Sequence, residues 1–355
     1  MNVAGSFDGQ TVSTDSISEP AERGGSWRDP GHHVIRLIED PWYRSVLSLT
    51  DCIISSSVAF WRDRGFAALA VPVTTGSISS PMGKGSDSKP VQATIFEKKL
   101  YLADSSQFLL ELGARMFPTG VYYTSCSFRG EGTDARHLSE FTHIEAELPG
   151  GLDDVMKVVD DFVRHLTAEV TSHCSSELRQ VLDGSLDHID DFLGLAAVPR
   201  ITHDDARREL ADVTAAFSEV LPGQYAITPV GEQSLAERFG GAVWLTHLPA
   251  ILSPFYQRPT ADGQHCFAAD LLLGGREVVG AGERCPDEVT LTKSLRDHDV
   301  SPEAYAWYVE MKRFRPMQTS GFGLGLERLL MWLMRADDIR DCTLWLREPG
   351  IVRGP

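Results

Sequence analysis

Three groups of charged residues in this sequence stand among glycines and aromatics. The first is FRGE, residues 128–131, followed after GTDA by RHLSEF, residues 136–141. On a strand, residues i and i+2 point the same way, so Arg129 and Glu131 share a face. Arg136 and His137 stand at the tip and Phe141 on the return strand. An arginine fork, further cations, a carboxylate and a stacking ring suit a nucleoside triphosphate. Taken alone, the group equally fits a solvated hairpin whose ion pair contributes under ~1 kcal/mol. The second group is GFGLGLER, residues 321–328, leading into an apolar helix. It is not the dinucleotide fingerprint, whose third glycine would fall at Leu326. Its glycines, Gly325 among them, permit close backbone approach. Arg328 falls in the first helical turn, where the macrodipole disfavours a cation, so an anionic partner is expected from the protein or from a ligand. The third group is Asp270, Glu277 and Arg284, spaced seven and seven. An Asp and a Glu on adjacent strand segments suit a hard divalent cation, and they suit a plain salt bridge as well.

The elements that must position these residues follow from periodicity. Pro41 opens a helix through Trp42, Val46, Leu49, Ile53 and Phe60, stopping before Gly65. Residues 66–73 and 93–103 read as strands, 75–90 as a loop and 106–116 as a short helix. Residues 121–131 and 138–148 form an antiparallel hairpin across GTDA. Helices are expected at 151–172, 202–220 and 302–312, and strands at AVWLTHLP, CFAADLLLGG and REVVGAGER. Strands in hairpins flanked by helices indicate an α+β antiparallel sheet rather than alternating βαβ units.

FRGE…RHLSEF followed about 180 residues later by GFGLGLER resembles the second and third signature motifs of class II aminoacyl-tRNA synthetases. Gly65-Phe66, five residues and Pro72 resemble the first. EFTHIE, EVVGAGER and SGFGLGLERLLMWL are similar to the aspartyl/asparaginyl branch. The resemblance spans roughly residues 40–350. It implies a six- or seven-stranded antiparallel sheet and a homodimer formed around Pro72. It implies ATP as substrate, with Arg129 on the α-phosphate, Glu131 on the adenine amino group, and Phe141 and Arg328 sandwiching the ring. Arg136, His137 and Arg328 would hold the outer phosphates, and Asp270 and Glu277 would hold Mg²⁺. Gln107, Glu111 and Arg284 match positions that bind the amino acid. The implied reaction is carboxylate attack on the α-phosphorus, giving an acyl-adenylate and pyrophosphate.

The chain departs from the branch in several places. Residues 1–30 are rich in Ser, Gly and acids and read as a disordered tail before a single catalytic domain, 31–355, with no anticodon-binding barrel. Gly282 stands where the branch has a metal-associated Ser, and Gln318-Thr319 replace a Pro-His pair. Leu110 replaces the Lys of the aspartyl enzymes. SSPMGKGSDSKP resembles the loop of short archaeal asparagine synthetases, which amidate aspartate without tRNA. Fifty acidic against 33 basic residues give a net charge of −17, of which the first 30 residues supply −3. Such a body disfavours non-specific grip on nucleic acid. The reading is therefore an adenylate-forming ligase passing an aspartate-like acyl group to ammonia or a small amine. An asparaginyl- or aspartyl-tRNA ligase and an inactive ATP- or amino-acid-binding regulator are the alternatives. The six cysteines form no C-x-x-C pair, and no apolar run approaches the roughly 20 residues a bilayer needs, so a cytoplasmic location without membrane contact is expected.

Overall fold

A computed structural model describes residues 23–80 and 89–348. Its centre is an eight-stranded sheet. In chain order the strands are β1 (Ala67–Ala68), β2 (Val121–Phe128), β3 (Glu140–Pro149), β4 (Arg200–Thr202), β5 (Ala242–Thr246), β6 (Ala268–Leu273), β7 (Arg276–Glu283) and β8 (Thr319–Gly325). Across the sheet they run β1-β2-β3-β8-β7-β6-β5-β4. The six inner strands are mutually antiparallel, and the short edges β1 and β4 pair parallel. The expected α+β antiparallel sheet is thus present, widened by two short edge strands.

One face of this sheet is dry. Tyr122, Ile144, Ala146, Phe322, Leu324 and Ala281 are buried there against α1 (Pro41–Asp63) and α3 (Leu152–His173). Trp61 of α1 packs on Phe162 at 4.7 Å and on Phe322 and Tyr122 at 5.8 Å. Asp40 caps α1 through the Trp42 N–H, with Pro41 at its first position. The other face carries α2 (Gln107–Ala114) and α4 (Pro229–Arg238), with α5 (Ala306–Phe314) packed on α2 and α6 (Leu326–Leu333) continuing from β8.

Four expectations change. Residues 93–103 are not one strand but the hairpin Gln92–Ile95/Lys98–Leu102, turning at Phe96 and Glu97 with positive φ and no glycine to mark the turn. The helix expected at 202–220 ends after His203–Glu209, and Phe217–Leu221 pairs with Gln224–Ile227. Ala215 at φ 62° breaks any helix inside that span, and Pro222 followed by Gly223 at φ 75° has the residue order of a type II turn. The strand expected over 66–73 pairs only at Ala67–Ala68; Pro72, further along, has no N–H to give a ladder. Finally, the packed chain begins before residue 31. Gly25 N donates to Asp341 (2.6 Å), Ser26 N to the Tyr43 hydroxyl (2.9 Å) and Trp27 Nε1 to Asp341 (2.8 Å). Trp27 also lies against Arg28 and Arg340, so one aromatic anchors a segment that composition alone reads as tail. Residues 1–22 of the expected tail, and 81–88 of the expected loop, lie outside the described residues.

Candidate active site

Strand β3 divides its side chains by alternation. Ile144, Ala146 and Leu148 enter the core, while Phe141, His143, Glu145 and Glu147 face the opposite way. The neighbouring strands answer with glycines. Gly321, Gly323 and Gly325 of β8 stand opposite Glu147, Glu145 and His143, and Gly280 and Gly282 of β7 stand opposite Gly323 and Gly321. A Cβ on Gly321 would lie 1.9 Å from Glu147 Oε2, one on Gly323 2.9 Å from Glu145 Oε1, and one on Gly282 2.2 Å from Gln257 Oε1. GFGLG is therefore a strand, with Phe322 and Leu324 in the core and a smooth glycine floor under the polar groups.

Two cavities open on this floor. The first, about 330 Å³, is lined by Arg129, Glu131, Arg136, His137, Phe141, His143, Glu277, Gly325, Glu327 and Arg328 among others. The hairpin tip and the start of α6 thus meet as the sequence predicts. Arg129 Nε is buried without a partner, and its guanidinium lies 5.6 Å from the Phe141 ring. Glu131 accepts from Lys89 N at 2.8 Å through one oxygen, and its other oxygen is buried and unpartnered. A cation and an acceptor left open beside an aromatic ring fit an anionic, amino-bearing aromatic ligand. Arg328 finds the anionic partner its position requires in Glu277, at 3.0 Å. Glu327 accepts Thr142 N through both oxygens at 3.0 Å, and burial pushes its carboxyl up to about 7. Arg136 is held by Glu232 of α4, and His137 Nδ1 sits 3.0 Å from Asp134. These two cations line the cavity but carry protein partners.

The second cavity, about 290 Å³, is lined by Ser79, Asp104, Gln107, Glu145, Tyr256, Gln257, Asp270, Gly280 and Arg284, and it shares Arg129, His143, Glu277 and Gly323 with the first. Arg284 is buried. It donates to Glu147 from Nε and Nη2 (3.1–3.3 Å) and to Gln257 from Nη1 (3.1 Å). Gln107 Nε2 is buried with no partner. Glu145 accepts from Ser105 (2.6 Å) and from the Tyr123 hydroxyl, and burial lifts its carboxyl to about 7 against those bonds. Burial, helped by Arg129 and Arg328, holds His143 neutral down to about 3. Asp270 and Glu277 converge over Gly280: a Cβ there would lie 3.7 and 3.2 Å from their oxygens. Burial and then Glu277 push Asp270 well above the usual range, while Arg328 and Arg129 outweigh burial and lower Glu277. Two carboxylates converging over a glycine suit a hard divalent cation.

Glu111 departs from the expectation. It lines neither cavity. It is fully buried on the side of α2 that faces α5, accepting from the Tyr308 hydroxyl at 2.5 Å and from Lys312, with Arg115 3.8 Å away. Its charge is consumed by residues of α5 that lie two hundred positions along the chain. Conversely, His143, Glu145, Glu147, Gln257 and Glu232 escaped the reading of the sequence. The signal for the first three was present, since HIEAEL alternates polar and apolar from His143 onward, two residues after the recognised Phe141. Gln257 and Glu232 sit outside any motif and carried no such signal.

A glycine-floored antiparallel sheet with an arginine shared between two adjoining cavities defines a class II synthetase-type core. The chain belongs to the family of class II tRNA synthetases (D, K and N), whose model matches residues 31–348. It is an adenylate-forming ligase of that family. The fold is similar to that of asparaginyl-tRNA synthetase from Pyrococcus horikoshii complexed with asparaginyl-adenylate, with a TM-score of 0.86 and 24% identity over 97% of this chain and 77% of that one. Asparaginyl-tRNA synthetase from Entamoeba histolytica, also complexed with asparaginyl-adenylate, gives 0.80 and 22% over 97% and 74%. A putative aspartyl-tRNA synthetase from Leishmania major Friedlin gives 0.78 and 20% over 95% and 71%.

Proposed function

We propose that this chain activates an aspartate- or asparagine-like amino acid with ATP and passes the acyl group to ammonia or a small amine. The observation that carries the first half is the pair of adjoining cavities that share Arg129, His143, Glu277 and Gly323. A nucleotide in one and an amino acid in the other would bring a carboxylate and an α-phosphorus together beside Arg129. The carboxylate oxygen attacks phosphorus, the bond to the β-phosphate breaks, and pyrophosphate leaves. Arg129 offsets the charge that develops, and the rigid floor supplies orientation. Glu131, with its open oxygen, accepts from the adenine amino group, and Phe141 and Arg328 enclose the ring. Gln107 and Arg284 orient the amino acid. Arg136 and His137 reach the outer phosphates by exchanging Glu232 and Asp134 for them. Asp270 and Glu277 are the residues that would hold Mg²⁺, which when bound offsets phosphate charge.

The second half rests on Glu145. It is a carboxylate in the amino-acid cavity able to position an amine. With its carboxyl near 7 it can accept the proton released when the amine nitrogen attacks the acyl carbon and AMP departs. An aminoacyl-tRNA ligase is the second reading, supported by the fact that the similar solved structures are tRNA synthetases. Amino-acid-dependent ATP–pyrophosphate exchange over a panel of acidic and amidic amino acids tests the common step. No exchange with any of them would overturn both readings.

A further inference from the structure

We propose that His203, Asp204 and His265 bind one divalent transition-metal ion of the zinc type, at a site separate from both cavities. His203 and Asp204 begin the helix His203–Glu209 just after edge strand β4. His265 comes from the turn that precedes β6, the strand carrying Asp270. His265 Nε2 lies 3.4 Å from Asp204 Oδ1, and His203 Nδ1 lies 3.9 Å from the same oxygen. One ligand atom from each of the three falls within 4.8 Å of the others.

His203 is the second, independent observation. Its side chain is 4% exposed, and neither ring nitrogen has a hydrogen-bond partner of good geometry. Its ring is held edge-on by Phe217 at 5.4 Å. A buried imidazole whose ring nitrogens make no hydrogen bond is costly, and a bound metal ion would satisfy one of them. His265 is fixed by its own turn: its carbonyl accepts from Thr260 N at 2.8 Å, and its N–H donates to Thr260 Oγ1 at 3.3 Å.

Metal–ligand bonds of about 2.0–2.1 Å place tetrahedral neighbours about 3.3 Å apart, so the two separations from Asp204 need little closing and the two imidazoles, within 4.8 Å, would draw together on binding. Two imidazoles and one carboxylate select zinc-like ions over magnesium. Asp204 is half exposed, which leaves a fourth position for water. The bound ion would tie the helix after β4 to the turn leading into β6.

The test uses the full chain, free of any histidine tag, stripped with a chelating resin and dialysed against cobalt(II) with Mg²⁺ present throughout. One retained equivalent, with a nitrogen/oxygen visible spectrum and no thiolate charge-transfer band, is expected. His265→Ala and Asp204→Asn each should weaken retention by more than about tenfold, while the metal-free melting temperatures stay at the wild-type value. Retention that is absent in wild type, or equal in wild type and both variants, overturns the site. Zinc should raise the wild-type melting temperature and leave that of His265→Ala unchanged.

Discussion

Arg129 is the one charged side chain that both cavities share with an unpartnered nitrogen. Its neighbours Arg284, Arg328 and Arg136 already hold carboxylates. Arg129→Ala therefore removes a donor that has nothing else to do. Pyrophosphate exchange is expected to fall by at least about a hundredfold, the usual effect of losing one donor to developing charge. Near-normal exchange in that variant would remove Arg129 from the reaction. Glu145 makes a prediction with a sign. Burial lifts its carboxyl to about 7, above the ordinary 4.5. If the ionised form takes the amine proton, acyl transfer at a constant concentration of unprotonated amine rises with pH through about 7 and then levels. Glu145→Gln should flatten that limb and lower transfer by roughly 10²–10⁴-fold, more than it lowers exchange. The same shift acts on stability. The folded chain holds this proton between about 4.5 and 7 while the unfolded chain releases it, so the group's contribution falls as pH rises across that window. Denaturant titrations at pH 5 and 8 should show a smaller loss in Glu145→Gln than in wild type. An equal loss would mean that the carboxyl titrates normally.

At the scale of single elements, the device that builds the site is the match between β3 and its glycine-bearing neighbours. Gly323 is extended, so alanine strains no backbone there, yet its Cβ would sit 2.9 Å from Glu145 Oε1. Gly323→Ala should keep the fold, at a cost of about 1–3 kcal/mol for overpacking, and raise the KM for the amino acid at least tenfold. A wild-type KM measured by exchange would show that the floor has room to spare. The sequence made much of this legible. Hairpin β2–β3, the start of α6 and the β6–β7 pair were readable, because period-2 alternation and motif spacing are local properties, whereas the glycines of β8 hid a strand. Gln107 and Glu111 were assigned together because both match one family segment, which does not say what packs against each. What decides between them is Lys312 and Tyr308, brought from α5 by the tertiary fold. The Pro222-Gly223 hairpin went unread because apolar residues in 202–220 also satisfy a helical period. The Trp27 anchor went unread because a single aromatic does not outweigh a polar composition.

For the whole molecule, two surface properties bear on partners. Leu47, Ile54 and Val58 are exposed along one stripe of α1, with Val34, Ile35 and Ile38 exposed on the helix just before it. An apolar stripe of this kind favours association. Sedimentation at micromolar concentration should give a dimer, and Leu47→Glu with Val58→Glu should give a monomer; a wild-type monomer would leave the stripe without a partner. The second property is charge, −17 over the sequence. A tRNA ligase must neutralise phosphates with Lys or Arg, and each contact steepens the loss of binding with salt. Of the arginines around the cavities, Arg136, Arg284 and Arg328 are tied to Glu232, Glu147 and Glu277. A small amine needs no basic surface, only access to the acyl carbon and a carboxylate such as Glu145 to take its proton. The purified chain, given ATP, an aspartate-like acid and ammonium or a primary amine, is therefore expected to yield AMP and an amide with no tRNA present. Its rate should vary little between 50 and 200 mM salt, where about six phosphate contacts would lower affinity by about 10³-fold. Mass spectrometry of the product, beside acid precipitation of tRNA in a parallel reaction, separates the two. TRNA-linked amino acid formed at a useful rate, with no amide at high amine concentration, would make the acceptor a tRNA.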